Sequence, residues 1–202
     1  MTTLNDVYGA MIASEDLMSK LGRIAANIAF NNQQPTAEDM SEMLYWINII
    51  LSEIGDSPSH AIADLRRDIV NHRFVSHQDY FQARAQLSAT MTIIYKLACY
   101  KVMQIEYPTL EKKLEDTFSE WSEKEVCWDG EKTLDARRYV IALKDDMMPP
   151  NMMRVDYKMN DWLETALDNL FFALRRTGDN ASQVQRDILN TLILIKRNCN
   201  VD

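Results

Sequence analysis

The sequence predicts an all-α protein: a single globular domain of about eight helices packed around a long helix spanning about 77–106. Three observations predict it. Gly and Pro number only five each in 202 residues, whereas a sheet protein needs a turn signal about every 8–12 residues. Nearly all ten lie between segments whose apolar residues recur three or four apart. Those segments are rich in Ala, Leu, Ile, Met, Glu, Gln and Arg, which favour helix. With 47% apolar and 26% charged residues, the chain has ordinary globular composition and enough length to bury a core.

The elements follow in order. From Leu4 to Phe30, apolar residues at Leu4, Val7, Met11, Leu17, Leu21, Ile24 and Ile28 define a first helix, weakened by Gly9 and Gly22. Asn31 to Pro35 is a connector. Thr36 with Asp39 three residues on is a capping-box variant that starts a second helix, which ends at Gly55. Ser57-Pro58 starts a third, short and polar, ending near Arg73. Ser76 with Asp79 starts the fourth, with Leu87, Met91, Ile94, Ala98, Val102 and Ile105 as its core stripe; Pro108 stops or sharply bends it. A charged helix then runs from Leu110 to Glu125. After the turn Cys127-Trp128-Asp129-Gly130 comes a short helix, Leu134 to Lys144, and then the rigid connector Met147 to Pro150. Asn160 caps a helix from Trp162 to Arg176, with Gly178 just past its end. Asn180 with Gln183 caps the last, which carries Val184, Ile188, Leu192 and Ile195, with Leu189, Ile193 and Leu194 as further apolar residues. Any subdivision of the single domain 1–202 falls near 128–132 or at 149–150.

Composition narrows the function. The net charge is -8, so a basic footprint for nucleic acid is missing. With so few glycines there is no Gly-rich phosphate loop and no Walker A motif, and no Cys-x-x-Cys pair is present. No cofactor is expected. No run of about 18 apolar residues and no signal-like N-terminus is present, so no membrane association is expected. Cys99, Cys127 and Cys199 are far apart and read as reduced thiols, which places the protein in the cytoplasm.

Acidic residues concentrate between Glu106 and Glu131. Nine acids (Glu106, Glu111, Glu115, Asp116, Glu120, Glu123, Glu125, Asp129 and Glu131) face three bases, Lys112, Lys113 and Lys124. The bland reading is a solvated helix face. The sharper one is a docking face for a protein with a basic surface, anchored by Trp121 and Trp128 and built on Glu120, Glu123 and Glu125. Twelve Met suit adaptable cores and helix-binding surfaces.

Three patterns carry possible chemistry. His60, Asp64, Asp68 and His72 are each four apart, so they form a polar stripe on one helix face. Such a mixture suits a divalent metal, yet no other helix offers a Glu-x-x-His partner, and the stripe also reads as exposed ion pairs. Within it, Arg67-Asp68-Ile69-Val70-Asn71-His72 resembles the Arg-x(4–6)-His motif of HEPN-domain ribonucleases. That resemblance implies a dimeric, metal-independent ribonuclease with His72 as acid/base, Arg67 as phosphate stabiliser and Asp68 as orienting residue. Third, Glu38-Asp39-Met40-Ser41-Glu42 followed by Glu53-Ile54-Gly55-Asp56 resembles the carboxylate signature of all-α nucleotide pyrophosphatases, which hold magnesium against a triphosphate. Here both halves fall on one helix, which puts Glu42 and Glu53 roughly 16 Å apart at ~1.5 Å per residue.

Two short stretches, Ile49 to Pro58 and Leu97-Ala98-Cys99-Tyr100 with Glu106-Tyr107-Pro108, are similar in style to helix junctions of phage head–tail adaptor proteins. The leading expectation is therefore a non-catalytic, soluble helical interaction or assembly protein of phage or mobile-element type, able to form a homo-oligomer. The alternatives are the HEPN-like ribonuclease, which alone would engage nucleic acid directly, and then the magnesium-dependent pyrophosphatase.

Overall fold

The structure is a computed structural model that describes residues 2–55, 60–123, 130–147, 161–176 and 180–202. Its described residues form seven α-helices and no strand: α1 (Leu4–Asn31), α2 (Ala37–Ile54), α3 (His60–Val70), α4 (His77–Glu123), α5 (Glu131–Asp146), α6 (Asp161–Ala173) and α7 (Ala181–Asn198). None of these is long and apolar enough to cross a membrane. They group into two compact units, Met1–Ala98 and Cys99–Asp202, divided within α4. Of the expected division points, 149–150 and the first part of 128–132 lie outside the described residues, and 130–132 form the N-cap and start of α5.

In the first unit α1 packs on α2, and α2 on α3. Val7, Ala10, Leu17, Leu21 and Ile24 of α1 and Met43, Ile47, Ile50 and Ile54 of α2 are buried. Burying one such aliphatic side chain contributes about 1.5–3 kcal/mol, more than the ~1 kcal/mol a helical glycine costs. α1 accordingly runs unbroken through Gly9 and Gly22. Its start holds a feature that the sequence reading passed over: Thr3 and Asp6 form a reciprocal capping box. The expected Thr36–Asp39 box is present. So is the cap on α4, where Asp79 accepts the Ser76 amide at 2.8 Å and the Ser76 hydroxyl at 2.9 Å.

In the second unit α5 packs on α6 and α6 on α7. The later half of α4 meets α7, where the Tyr107 hydroxyl donates to the Leu192 carbonyl and the Gln104 amide to the Cys199 carbonyl. Cys99 and Cys199 are buried free thiols, and burial pushes the Cys199 thiol up to about 12, so it stays protonated and inert. Cys127 lies outside the described residues, as do the caps expected at Ser57 and Asn160. Asn180 does cap α7, through the Ser182 amide at 2.9 Å.

Two expectations about α4 are corrected. It does not end at Pro108; the two helices expected on either side are one, and Pro108 lies inside it. A proline in a helix costs about 3 kcal/mol, but Met103, Tyr107, Leu110 and Leu114 around it are all buried and together outweigh that cost. The core stripe also departs from its expected course. Leu87, Met91, Ile94 and Ala98 are buried, but Val102 is half-buried and Ile105 is 58% exposed. The buried face passes instead through Tyr95, Cys99, Met103 and Tyr107 and then Leu110, Leu114, Thr117 and Trp121. Each four-residue step overshoots the 3.6-residue turn, so the stripe drifts round the helix.

Candidate functional site

The polar third helix is the first place to look for chemistry. α3 ends at Val70, two residues short of His72. The amide of His72 donates to the Ile69 carbonyl at 3.1 Å and that of Arg73 to the Asp68 carbonyl at 3.0 Å. This double bond pattern is a Schellman motif, with His72 at the left-handed position usually held by glycine; its φ is 52°. The apolar contact that often closes such a cap is replaced by an ion pair, Arg73 to Asp68 at 3.0 Å.

His72 is therefore a cap residue and not the fourth rung of a helical ladder with His60, Asp64 and Asp68. Among the described residues no group of three or more His, Cys, Asp or Glu side chains gathers in a way that could hold a metal. Arg67 and His72 are both exposed. The Arg67 guanidinium lies 2.8 Å from Asp64 and 3.9 Å from Asp68, so two carboxylates already occupy the charge that the ribonuclease reading assigns to phosphate.

The carboxylates of the pyrophosphatase pattern are engaged too. α2 is continuous, which keeps Glu42 and Glu53 on one helix, and Asp56 lies outside the described residues. Lys20 of α1, nearly completely buried, pairs with Asp39 at 2.8 Å and with Glu42. The Lys20 ammonium, with the Thr36 amide, holds the Asp39 carboxyl down at about 2. Burial opposes the charge on Lys20, but the hydrogen bonds it donates to Asp39 and Glu42 outweigh that and raise its pKa. A cation at Asp39 and Glu42 would have to displace that ammonium. The sequence reading missed Lys20, although the signal was visible: a lysine interrupts the buried run Leu17, Leu21, Ile24.

The acidic stretch divides into internal and external residues. Glu120 is 5% exposed and Trp121 3%. Glu120 accepts the Lys132 amide at 3.1 Å, which caps α5 from another helix where its own N-cap, Gly130, has no side chain to offer. The Trp121 indole donates to the Thr133 hydroxyl at 3.1 Å. Glu106 accepts the Tyr139 hydroxyl at 2.6 Å.

The expectation that Glu120 and Trp121 face a partner is thus corrected: both are turned inward to fix the α4–α5 junction. Buried polar groups need such partners, and a helix N-terminus favours a carboxylate. The side chain of Glu123, and all of Glu125 and Trp128, lie outside the described residues. Glu115 and Asp116 remain exposed on α4.

The outward face of α7 is the least expected surface. Val184, Ile188, Leu192 and Ile195 are buried, as a surface helix requires. Yet Leu189 and Ile193, one turn apart, lie side by side on the outward face, 46% and 63% exposed, and Leu194, 48% exposed, lies on the other flank of the helix. Phe172 of α6 is also exposed and lines a cleft of about 380 Å³ with Asn190 of α7. Asn190 is three residues from Ile193, so the rim of the cleft adjoins one end of the aliphatic face.

No protein-family model, curated protein or solved structure matches this chain.

Proposed function

We propose that this chain is a non-catalytic helical interaction or assembly protein, and that its contact face is the outward side of α7. The observation that carries the reading is the exposure of Leu189, Ile193 and Leu194 on one helix. Single exposed apolar residues are ordinary, but Leu189 and Ile193 adjoin one turn apart among exposed polar residues, as at interaction surfaces. By contrast, the candidate catalytic and metal-binding carboxylates Asp64, Asp68, Asp39 and Glu42 each already pair with a cation of this chain, Asp64 and Asp68 with exposed arginines and Asp39 and Glu42 with the buried Lys20.

The expected docking stretch at 106–131 gives way to α7 in this reading, because reversing the buried Glu120 would break the α5 cap before it tested any partner. The test is affinity purification from the native host with the wild type and a Leu189→Ser/Ile193→Ser variant, each checked for helicity. Loss of the same partner from the variant supports the reading; an unchanged set of partners rejects it.

A second reading, the HEPN-like ribonuclease, has the joint exposure of Arg67 and His72 in its favour. It requires metal-independent RNA cleavage that disappears in His72→Ala.

A further inference from the structure

We infer that the α7 face receives an acidic amphipathic helix of another protein. The inference rests on the interaction reading above and names the partner's chemistry.

Arg186, Lys196 and Arg197 are exposed on α7, on either side of Leu189 and Ile193 in sequence. Arg186 is held by the Gln183 side chain at 3.0 Å, and Lys196 lies 6.0 Å from the centre of the Tyr107 ring. Asp187 is the one acidic residue in α7, and it is occupied: it takes the Arg176 guanidinium at 2.7 Å and the Gln183 amide at 2.8 Å. A chain of net charge -8 thus presents an aliphatic stripe framed by positive charge. Helix-in-groove recognition reads apolar anchors three and four apart, while flanking charges set the partner and its orientation. An occupant that buries Leu189 and Ile193 and offers Glu or Asp on its flanks satisfies both.

Charge also argues against a second copy on the same face. In an antiparallel pairing centred between Leu189 and Ile193, each Leu189 would meet the other copy's Ile193. Each Arg186 would then meet the other copy's Lys196. A parallel pairing sets like against like as well. Either way two cations oppose at each end of the contact, which disfavours self-association.

The test uses three synthetic helical peptides, read by fluorescence anisotropy against the full chain. One has a Leu/Ile stripe and Glu on its polar face, the second has the same stripe with Lys, and the third has the Glu face with Ala in place of the stripe. Saturable binding of the first, roughly tenfold or more tighter than either other peptide, is expected. Ile193→Ser should weaken it by a similar factor with unchanged circular dichroism, and Arg186→Glu/Arg197→Glu should shift preference toward the Lys peptide.

Equal binding of acidic and basic peptides, or binding insensitive to Ile193→Ser, overturns the inference. So does a dimer in light scattering that dissociates in Ile193→Ser, although that result leaves the interaction reading standing with a second copy as occupant. A monomer that binds none of the three peptides overturns the inference; the host partner set in the affinity purification then decides the broader reading separately.

Discussion

The Glu120 carboxylate accepts the Lys132 amide, so a residue near the end of α4 caps the start of α5. Gly130 lies against this carboxylate: a Cβ there would come within 2.5 Å of Glu120 Oε1. Gly130→Ala therefore forces the Glu120 carboxylate to shift from its place against the helix end. Losing such a cap costs about 1–2 kcal/mol. Urea denaturation should show Gly130→Ala and Glu120→Ala each destabilised by about that amount. The double variant should cost clearly less than the two together, because both remove one interaction. Full additivity would mean that Gly130→Ala acts by some route other than the Glu120 cap.

Pro108 is exposed inside α4 and cannot donate to the carbonyl four residues back. Pro108→Ala restores that donor. The expected gain is about 1–2 kcal/mol, less than the ~3 kcal/mol intrinsic penalty because proline also stiffens the unfolded chain. A rise in melting temperature checks it; a fall would show that the folded helix depends on the proline.

The Lys20–Asp39 pair makes stability depend on pH at both extremes. The folded Asp39 carboxyl is lowered from 3.8 to about 2, so its contribution is present above pH ~4 and is lost as pH falls toward 2. The Lys20 ammonium is raised above 10.5, so its contribution is complete below that value and is lost as pH rises through the higher folded value. In Lys20→Met the Asp39 titration, followed by NMR, should move back toward 3.8. It should stop short of it, because the Thr36 amide still holds the carboxylate. An unmoved titration would dissociate the pair.

His72 pays a conformational cost at the α3 cap that glycine would not. His72→Gly should stabilise the protein by about 0.5–1 kcal/mol. It should also leave partner binding at α7 unchanged. Destabilisation in a thermal melt would mean that the imidazole makes a contact that the cap geometry does not require.

Ile193→Ser removes exposed apolar surface without opening a cavity. Its unfolding free energy should stay within about 0.5 kcal/mol of wild type. A larger loss in the same denaturation series would show that Ile193 serves the fold and not a partner.

The sequence by itself determined what depends on neighbours a few residues away. Helix content and the caps at Thr36–Asp39, Ser76–Asp79 and Asn180 are all local, since turn chemistry and helical spacing act over one or two turns. Tertiary structure decided what depends on distant segments. It carried α4 through Pro108, because packing on both sides outweighs a local penalty. It turned Glu120 and Trp121 inward onto Lys132 and Thr133, twelve residues along the chain, and paired Lys20 with Glu42 across two helices. It also left Leu189, Ile193 and Leu194 exposed, because which apolar residues of a helix are covered depends on where its neighbours lie and not on the helix alone.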